Sequence, residues 1–131
     1  MEIEAELEEA ENKRQKEMEV ALQVAESQKA IRPIRYTLKG DWDSRKIWLN
    51  GRELSAENSQ EVYNHSPDGF AWGYSGSGPS QLALAIMLEL YGEKTAKKNY
   101  MDFKDKHIAA LPQGDFDMKD TVNYKSEEPE A

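Results

Sequence analysis

The spacing of apolar positions changes along this chain, and it predicts where the strands lie. Residues 34–38 alternate between apolar and polar side chains, which is typical of a strand with one buried face. Residues 46–49 and 52–54 flank the pair Asn50 and Gly51. This pair tolerates the positive φ angles of a two-residue type I′ turn, so the segment is predicted to be a β-hairpin.

A second block combines an aromatic segment with the longest apolar run of the chain. Phe70, Trp72 and Tyr74 alternate with small residues, which predicts a strand that carries three aromatic rings on one face. Residues 82–88 are apolar throughout and predict a buried helix. Pro79 suits the first position of that helix, because a proline lacks the N–H that would be unbonded there.

The remaining elements follow from the same reasoning. Residues 93–110 place apolar side chains at helical spacing, and Pro112 ends that helix. Phe116 and Met118 alternate with acidic residues and predict a short final strand. Residues 2–29 contain no Gly or Pro and consist largely of helix-forming residues with a thin apolar stripe, which indicates a solvated helix.

These elements predict an α+β fold, in which a small antiparallel sheet of three or four strands packs on two helices, with a peripheral N-terminal helix. The expected organisation is a charged helical extension at 1–32, a compact domain at 33–122 and an acidic disordered tail at 123–131.

Charge is distributed unevenly over these parts. The formal net charge is −8, yet residues 1–30 hold nine Glu against four Lys and Arg, a net charge of −5, and residues 31–112 are nearly neutral. An acidic chain is a poor match for phosphate backbones, so no direct binding of nucleic acid is expected. No cysteine, membrane span or signal peptide is visible, and a cytoplasmic protein without membrane contact is expected.

The glycine- and serine-rich segment before the apolar helix is the candidate binding site. Backbone N–H groups at a helix start are unbonded within the helix and favour an anion such as phosphate. Gln81 is placed to reach back to the helix cap, and the aromatic residues could stack on a base. The candidate ligand-binding residues are His65, Trp72, Tyr74, Ser77, Gly78, Ser80 and Gln81. The alternative interpretation is a tight corner in which the glycines serve only close packing.

Catalytic chemistry finds little support in the sequence. The two histidines, His65 and His107, lack the spacing of a metal site. The glycine-rich segment lacks the lysine of a phosphate-binding P-loop and the spacing of a nucleophile elbow. We therefore expect no catalytic residue, no metal and no cofactor, and predict that the protein is not an enzyme.

A long motif runs from Asn64 to Ile86: N-H-S-P-x-G-F-x-W-G-Y-x-G-S-G-P-x-Q-L-A-L-A-I. With it, residues 34–122 resemble a small domain family of unknown function that is widespread in bacteriophages, prophages and mobile elements. Ser75 stands where that family usually has Gly, and Phe116 where it usually has Trp. The resemblance implies a phage accessory protein that acts in the cytoplasm of a host cell.

Two functional hypotheses follow. The first is a non-enzymatic binding protein, of the host-takeover or counter-defence type, that holds a phosphate-bearing, nucleotide-like ligand at the glycine-rich helix start. The alternative is an inhibitor or adaptor, with an acidic or DNA-mimicking surface, that acts on a host enzyme through the helical extension. A homo-oligomer is compatible with both hypotheses.

Overall fold

The structure is a computed structural model that describes residues 31–128. The predicted N-terminal helix and the last three residues of the tail lie outside the described residues. The described residues from Pro33 onward form one compact unit. In chain order the described elements are β1 (Ile31–Asp41), β2 (Lys46–Leu49), β3 (Arg52–Glu53), α1 (Glu57–Val62), α2 (Ser77–Tyr91), α3 (Glu93–Phe103), a π-helical turn (Lys104–Ile108) and β4 (Phe116–Lys125).

The four strands form one antiparallel sheet in the order β3-β2-β1-β4, and the helices cover one of its faces. This arrangement confirms the predicted α+β fold. Within residues 31–128, no helix is long and apolar enough to cross a membrane.

The predicted hairpin is present between β2 and β3. Asn50 and Gly51 have φ angles of 52° and 81°, the pair of positive values that a type I′ turn requires. The side chain of Asn50 also contributes, because its Oδ1 accepts a hydrogen bond of 2.9 Å from the backbone N–H of Thr37 in β1. The turn is thereby tied to the neighbouring strand.

Helix α2 lies at the centre of the core, as its apolar sequence predicts. All its residues from 78 to 87 are buried. Helix α2 packs with inward-facing side chains of the strands: Tyr36 and Leu38 from β1, Ile47 and Leu49 from β2, and Val122 from β4. Burial on every side explains why this helix has no polar face.

The prediction of a strand at residues 70–75 is wrong, because this segment is an irregular loop. Phe70 and Trp72 are buried, whereas Tyr74 is 46% exposed, so the three rings do not share a face. Trp72 anchors the loop through its ring nitrogen Nε1, which donates to the carbonyl oxygen of Gly114 at 3.0 Å. Edge-on contacts with two further rings complete its packing: Trp42, at 5.5 Å between centroids, and Phe116, at 5.2 Å.

The helix boundaries also differ from the prediction. Helix α2 begins at Ser77, so Pro79 occupies its third position rather than its first. This position is equally free of cost, because the first four N–H groups of a helix have no partner within it. The second long helix, α3, ends at Phe103, and the π-helical turn extends the helical segment to Ile108. This segment is slightly shorter than the predicted 93–110.

The segment after Val122 is more ordered than the sequence indicates. Strand β4 continues to Lys125, which corrects the prediction of disorder from residue 123. Beyond it, the backbone N–H of Glu127 donates to Thr95 Oγ1, and the N–H of Thr95 donates to Glu128 Oε1, both at 2.8 Å. Thr95 lies in the first turn of α3, whose own N-cap residue, Gly92, provides no side-chain bond. Glu128 therefore caps helix α3 from the tail.

Replacing Glu128 tests whether this cap stabilises the domain. Glu128→Ala leaves the Thr95 N–H without its acceptor, and loss of an N-terminal cap costs about 1 kcal/mol. We expect a lower free energy of unfolding in urea. The matched control is Glu127→Ala, whose carboxylate pairs with the exposed Lys98 ammonium, and its loss of stability should be clearly smaller. Equal losses in the two variants would contradict a capping role for Glu128.

Candidate functional site

Gln81 is a fully buried polar residue on helix α2, and its side-chain amide holds the preceding segment in place. Its Oε1 accepts hydrogen bonds from the N–H groups of His65 and Ser66 at 2.8 and 3.0 Å. Its Nε2 donates to Ser59 Oγ at 2.8 Å and to the carbonyl oxygen of Tyr63 at 3.2 Å. A buried amide must be satisfied in this way to avoid a desolvation penalty. The predicted contact of Gln81 with the helix cap is wrong, because the side chain is committed to these four partners.

The bonds to Gln81 also place His65 in an aromatic cluster. The Nε2 atom of His65 lies 2.8 Å from the Tyr100 hydroxyl, and the His65 ring lies 4.2 Å from that of Tyr63. Partial burial and the positive charge of Lys104 both disfavour the protonated ring, so the pKa of His65 lies below its usual value. His65 is therefore a neutral member of a hydrogen-bonded cluster near neutral pH.

The glycine-rich corner is packed closely against its own loop. Gly78 is buried, and a Cβ at this position would lie 2.6 Å from the Cβ of Ala71. The Ser80 hydroxyl donates to the carbonyl oxygen of Gly76 at 2.9 Å. Gly73, with φ of +82°, brings the loop within contact of the carbonyl oxygen of Leu111. These contacts are those of a tight structural corner.

The seven predicted ligand-binding residues thus have different surroundings. Trp72, Gly78, Ser80 and Gln81 are buried, and His65 is engaged with Tyr100. The exposed members are Tyr74 and Ser77, beside a helix start that has no side-chain cap. The structure does not bring the seven side chains together around one opening, and the ligand site stays a prediction.

No group of three or more His, Asp or Glu residues among residues 31–128 is arranged to hold a metal ion. His107 is partly buried. Its ring lies 4.9 Å from that of Phe103, and its Nδ1 is 3.3 Å from Asp120 Oδ2. These contacts place His107 in packing between the π-helical turn and β4.

The sheet face opposite the helices, here termed the open face, was not identified from the sequence. Because side chains alternate along a strand, the residues between the buried positions of each strand point to this face. They carry five cations and three carboxylates, a net charge of +2 in a chain of −8. Its members are Arg35, Thr37, Lys39 and Asp41 of β1, Lys46 and Trp48 of β2, Glu53 of β3, and Asp117, Lys119, Thr121, Asn123 and Lys125 of β4.

Some cations of the open face lie near its carboxylates, as Lys46 lies opposite Asp41, but not within ion-pair distance. None of the five forms an ion pair within the described part of the chain, whereas Lys97, Lys98 and Lys106 on α3 and the π-helical turn do. The ammonium of Lys39 lies 5.7 Å from the ring centre of Trp48, its cross-strand partner. Three shallow hollows of about 510, 480 and 290 Å³ adjoin one another over β1, β2 and β4.

A signal for this face was present in the sequence. In β1 the polar residues Arg35, Thr37 and Lys39 alternate with the buried residues Tyr36 and Leu38. The same alternation that predicts the strand therefore predicts its outward side chains. What the sequence does not contain is the strand order, which places β4 beside β1 and joins their charges on one surface.

This geometry defines the class of protein. It is an α+β domain that has helices on one side of an antiparallel sheet and a charged sheet face on the other. Residues 38–125 match the model of a Family of unknown function (DUF6166), and the chain belongs to this family. No curated protein and no solved structure matches the chain.

Replacing Gly78 tests whether the glycine-rich corner is a structural requirement. Gly78→Ala places a methyl group against the Cβ and backbone nitrogen of Ala71, at 2.6 and 3.1 Å. Overpacking of this kind costs about 1–3 kcal/mol, so we expect a lower melting temperature. Gly114→Ala is the matched control, since its new methyl group has no neighbour within 4 Å. A Gly78→Ala protein as stable as this control would show that the corner is not tightly packed.

Proposed function

We propose that this protein is a binding protein rather than an enzyme, and that it binds a partner protein through the open face of its sheet. Antiparallel sheets often leave one face in water, so exposure alone does not support this proposal. Support comes from the net charge of the face, +2 in a chain of −8, and from its five cations, none of which forms an ion pair within residues 31–128. Segregated charge of this kind steers association with a partner of the opposite sign.

Trp48 provides the second element that an interface needs. It lies in a central strand of the sheet, with Lys39 opposite it on β1 and Glu53 opposite it on β3. Tryptophan surrounded by polar residues is typical of the small number of side chains that dominate binding energy at protein interfaces. The mixed signs around it suit a protein partner, which can present both charges.

The predicted phosphate site is the second candidate. It is favoured by one observation, the helix start without a side-chain cap beside the exposed Tyr74 and Ser77. We rank it lower because most of the other predicted residues are buried.

The motif from Asn64 to Ile86 is the basis for proposing an origin in a phage or mobile element. With that origin, the partner would be a host protein.

Replacing Trp48 and, separately, Tyr74 tests the proposed binding through the open face against the alternative of the phosphate site. The full chain and its Trp48→Thr and Tyr74→Thr variants are each expressed in cells and purified together with their bound partners. Quantitative mass spectrometry then measures how much of each partner is captured. Truncating a dominant interface residue costs about 2 kcal/mol or more, which corresponds to roughly 30-fold weaker binding. We expect Trp48→Thr to lose the captured partner to this extent and Tyr74→Thr to retain it.

Both variants alter side chains outside the core, and circular dichroism verifies that they fold. Loss of the partner with Tyr74→Thr and its retention with Trp48→Thr would contradict the proposal and favour the glycine-rich corner. Retention of the same partner by both variants would also contradict it.

A further inference from the structure

One end of the open face differs from the rest in charge. The largest of its three hollows, about 510 Å³, lies between β1, β4 and the β2–β3 turn and is lined in part by Arg35, Thr37, Asn50, Lys119 and Thr121. We term this set the basic hollow. Neither of its cations forms an ion pair within residues 31–128. The three carboxylates of the open face lie outside it, towards Trp48.

Asp120 also lines this hollow, as its one acidic residue. It belongs to the inward-facing series of β4 that includes the buried Val122. Its carboxylate lies 3.3 Å from His107 Nδ1, on the helix side of the sheet. The lining of the basic hollow thus holds two cations, Arg35 and Lys119, and one carboxylate that faces the helix side, a net charge of +1.

The polar groups of the basic hollow are predominantly donors. A guanidinium and an ammonium group donate only, and the two threonine hydroxyls can donate. The Oδ1 atom of Asn50 already accepts from the Thr37 N–H at 2.9 Å, so the group that this side chain retains for a partner is its NH₂. Arginine binds carboxylates through two parallel hydrogen bonds, which adds direction to the charge attraction.

We propose that the basic hollow binds carboxylate side chains from an acidic segment of the partner protein. This inference rests on the proposed function, and it assigns the chemistry of one end of the same surface. Charge complementarity supports a polypeptide over a nucleic acid. A nucleic-acid strand needs a continuous row of cations along its phosphates, but Asp117 and Glu53 interrupt the open face beside Lys39 and Trp48. An acidic peptide needs cations only where its carboxylates lie.

The test is a titration of the full-length, ¹⁵N-labelled protein followed by NMR, with a short oligoglutamate peptide as the probe. We expect the first shifted amides to be those of Thr37, Lys119 and Thr121, and we expect added salt to weaken binding because exposed charges are screened. The double variant Arg35→Gln/Lys119→Gln should bind at least about tenfold more weakly. The matched control, Lys94→Gln/Lys97→Gln on α3, removes the same charge and should stay within about twofold of the unmodified chain.

Three results would overturn the inference. Equal weakening by the two double variants would show an effect of net charge alone. Shifts of the same amides by an oligothymidylate at lower concentration than by the peptide would assign the face to nucleic acid. Stronger binding of inorganic phosphate than of the peptide would assign it to a small free anion.

Failure of this inference is distinguishable from failure of the proposed function. The captured partner is tested for binding to the Arg35→Gln/Lys119→Gln and Trp48→Thr proteins. Loss with both variants supports the inference. Loss with Trp48→Thr alone overturns the carboxylate site and leaves the open face as the binding surface. Retention by both overturns the two proposals together.

Discussion

The side-chain amide of Gln81 is the constraint on which the site region of this domain depends. It lies at 0% exposure in the most buried helix, where an unsatisfied amide would carry a large free-energy penalty. Its four hydrogen bonds cross from α2 to a segment that begins in α1 and continues as irregular loop. Residues without regular secondary structure thereby acquire a single conformation, and His65 reaches Tyr100 as a consequence.

This constraint changes the interpretation of the glycine-rich segment. A helix start rich in glycine and serine is typical of anion sites, but the same composition serves where a helix and a loop approach closely. Here the loop carries the buried Trp72, and the first turn of α2 lies against Ala71. Most of the small and polar side chains of the segment are used within the domain. The five cations of the open face lie on the other side of the sheet.

Local patterns in the sequence predict the fold class well. The Asn50–Gly51 pair predicts the hairpin because the backbone conformation of its turn depends on those two residues alone. The apolar run at 82–88 predicts the central helix because a segment that is buried on all sides consists largely of apolar residues. By contrast, aromatic residues can alternate with small ones in a loop as well as in a strand, so the pattern at 70–74 does not distinguish the two. The hydrogen-bond partner of the Trp72 ring lies 42 residues away in the chain.

Contacts between residues that are distant in sequence also determine the structure of the tail and of the candidate site, and local patterns do not predict them. An acidic C-terminal segment is typical of disorder, and Glu128 is ordered through a hydrogen bond to Thr95, 33 residues earlier in the chain. The open face depends on the order of the strands, which local sequence does not encode. Individual outward-facing residues such as Arg35 and Lys119 can be predicted from alternation, but their meeting in one hollow requires the three-dimensional arrangement.

The Gln81 amide holds the preceding loop as firmly as the core is held, and native-state hydrogen exchange measures this directly. The N–H groups of His65 and Ser66 lie outside helices and strands, yet both donate to Gln81 Oε1. We predict that these two amides exchange as slowly as amides in the centre of α2, through opening that requires global unfolding. Exchange at the rate of an exposed, unstructured loop would contradict the account.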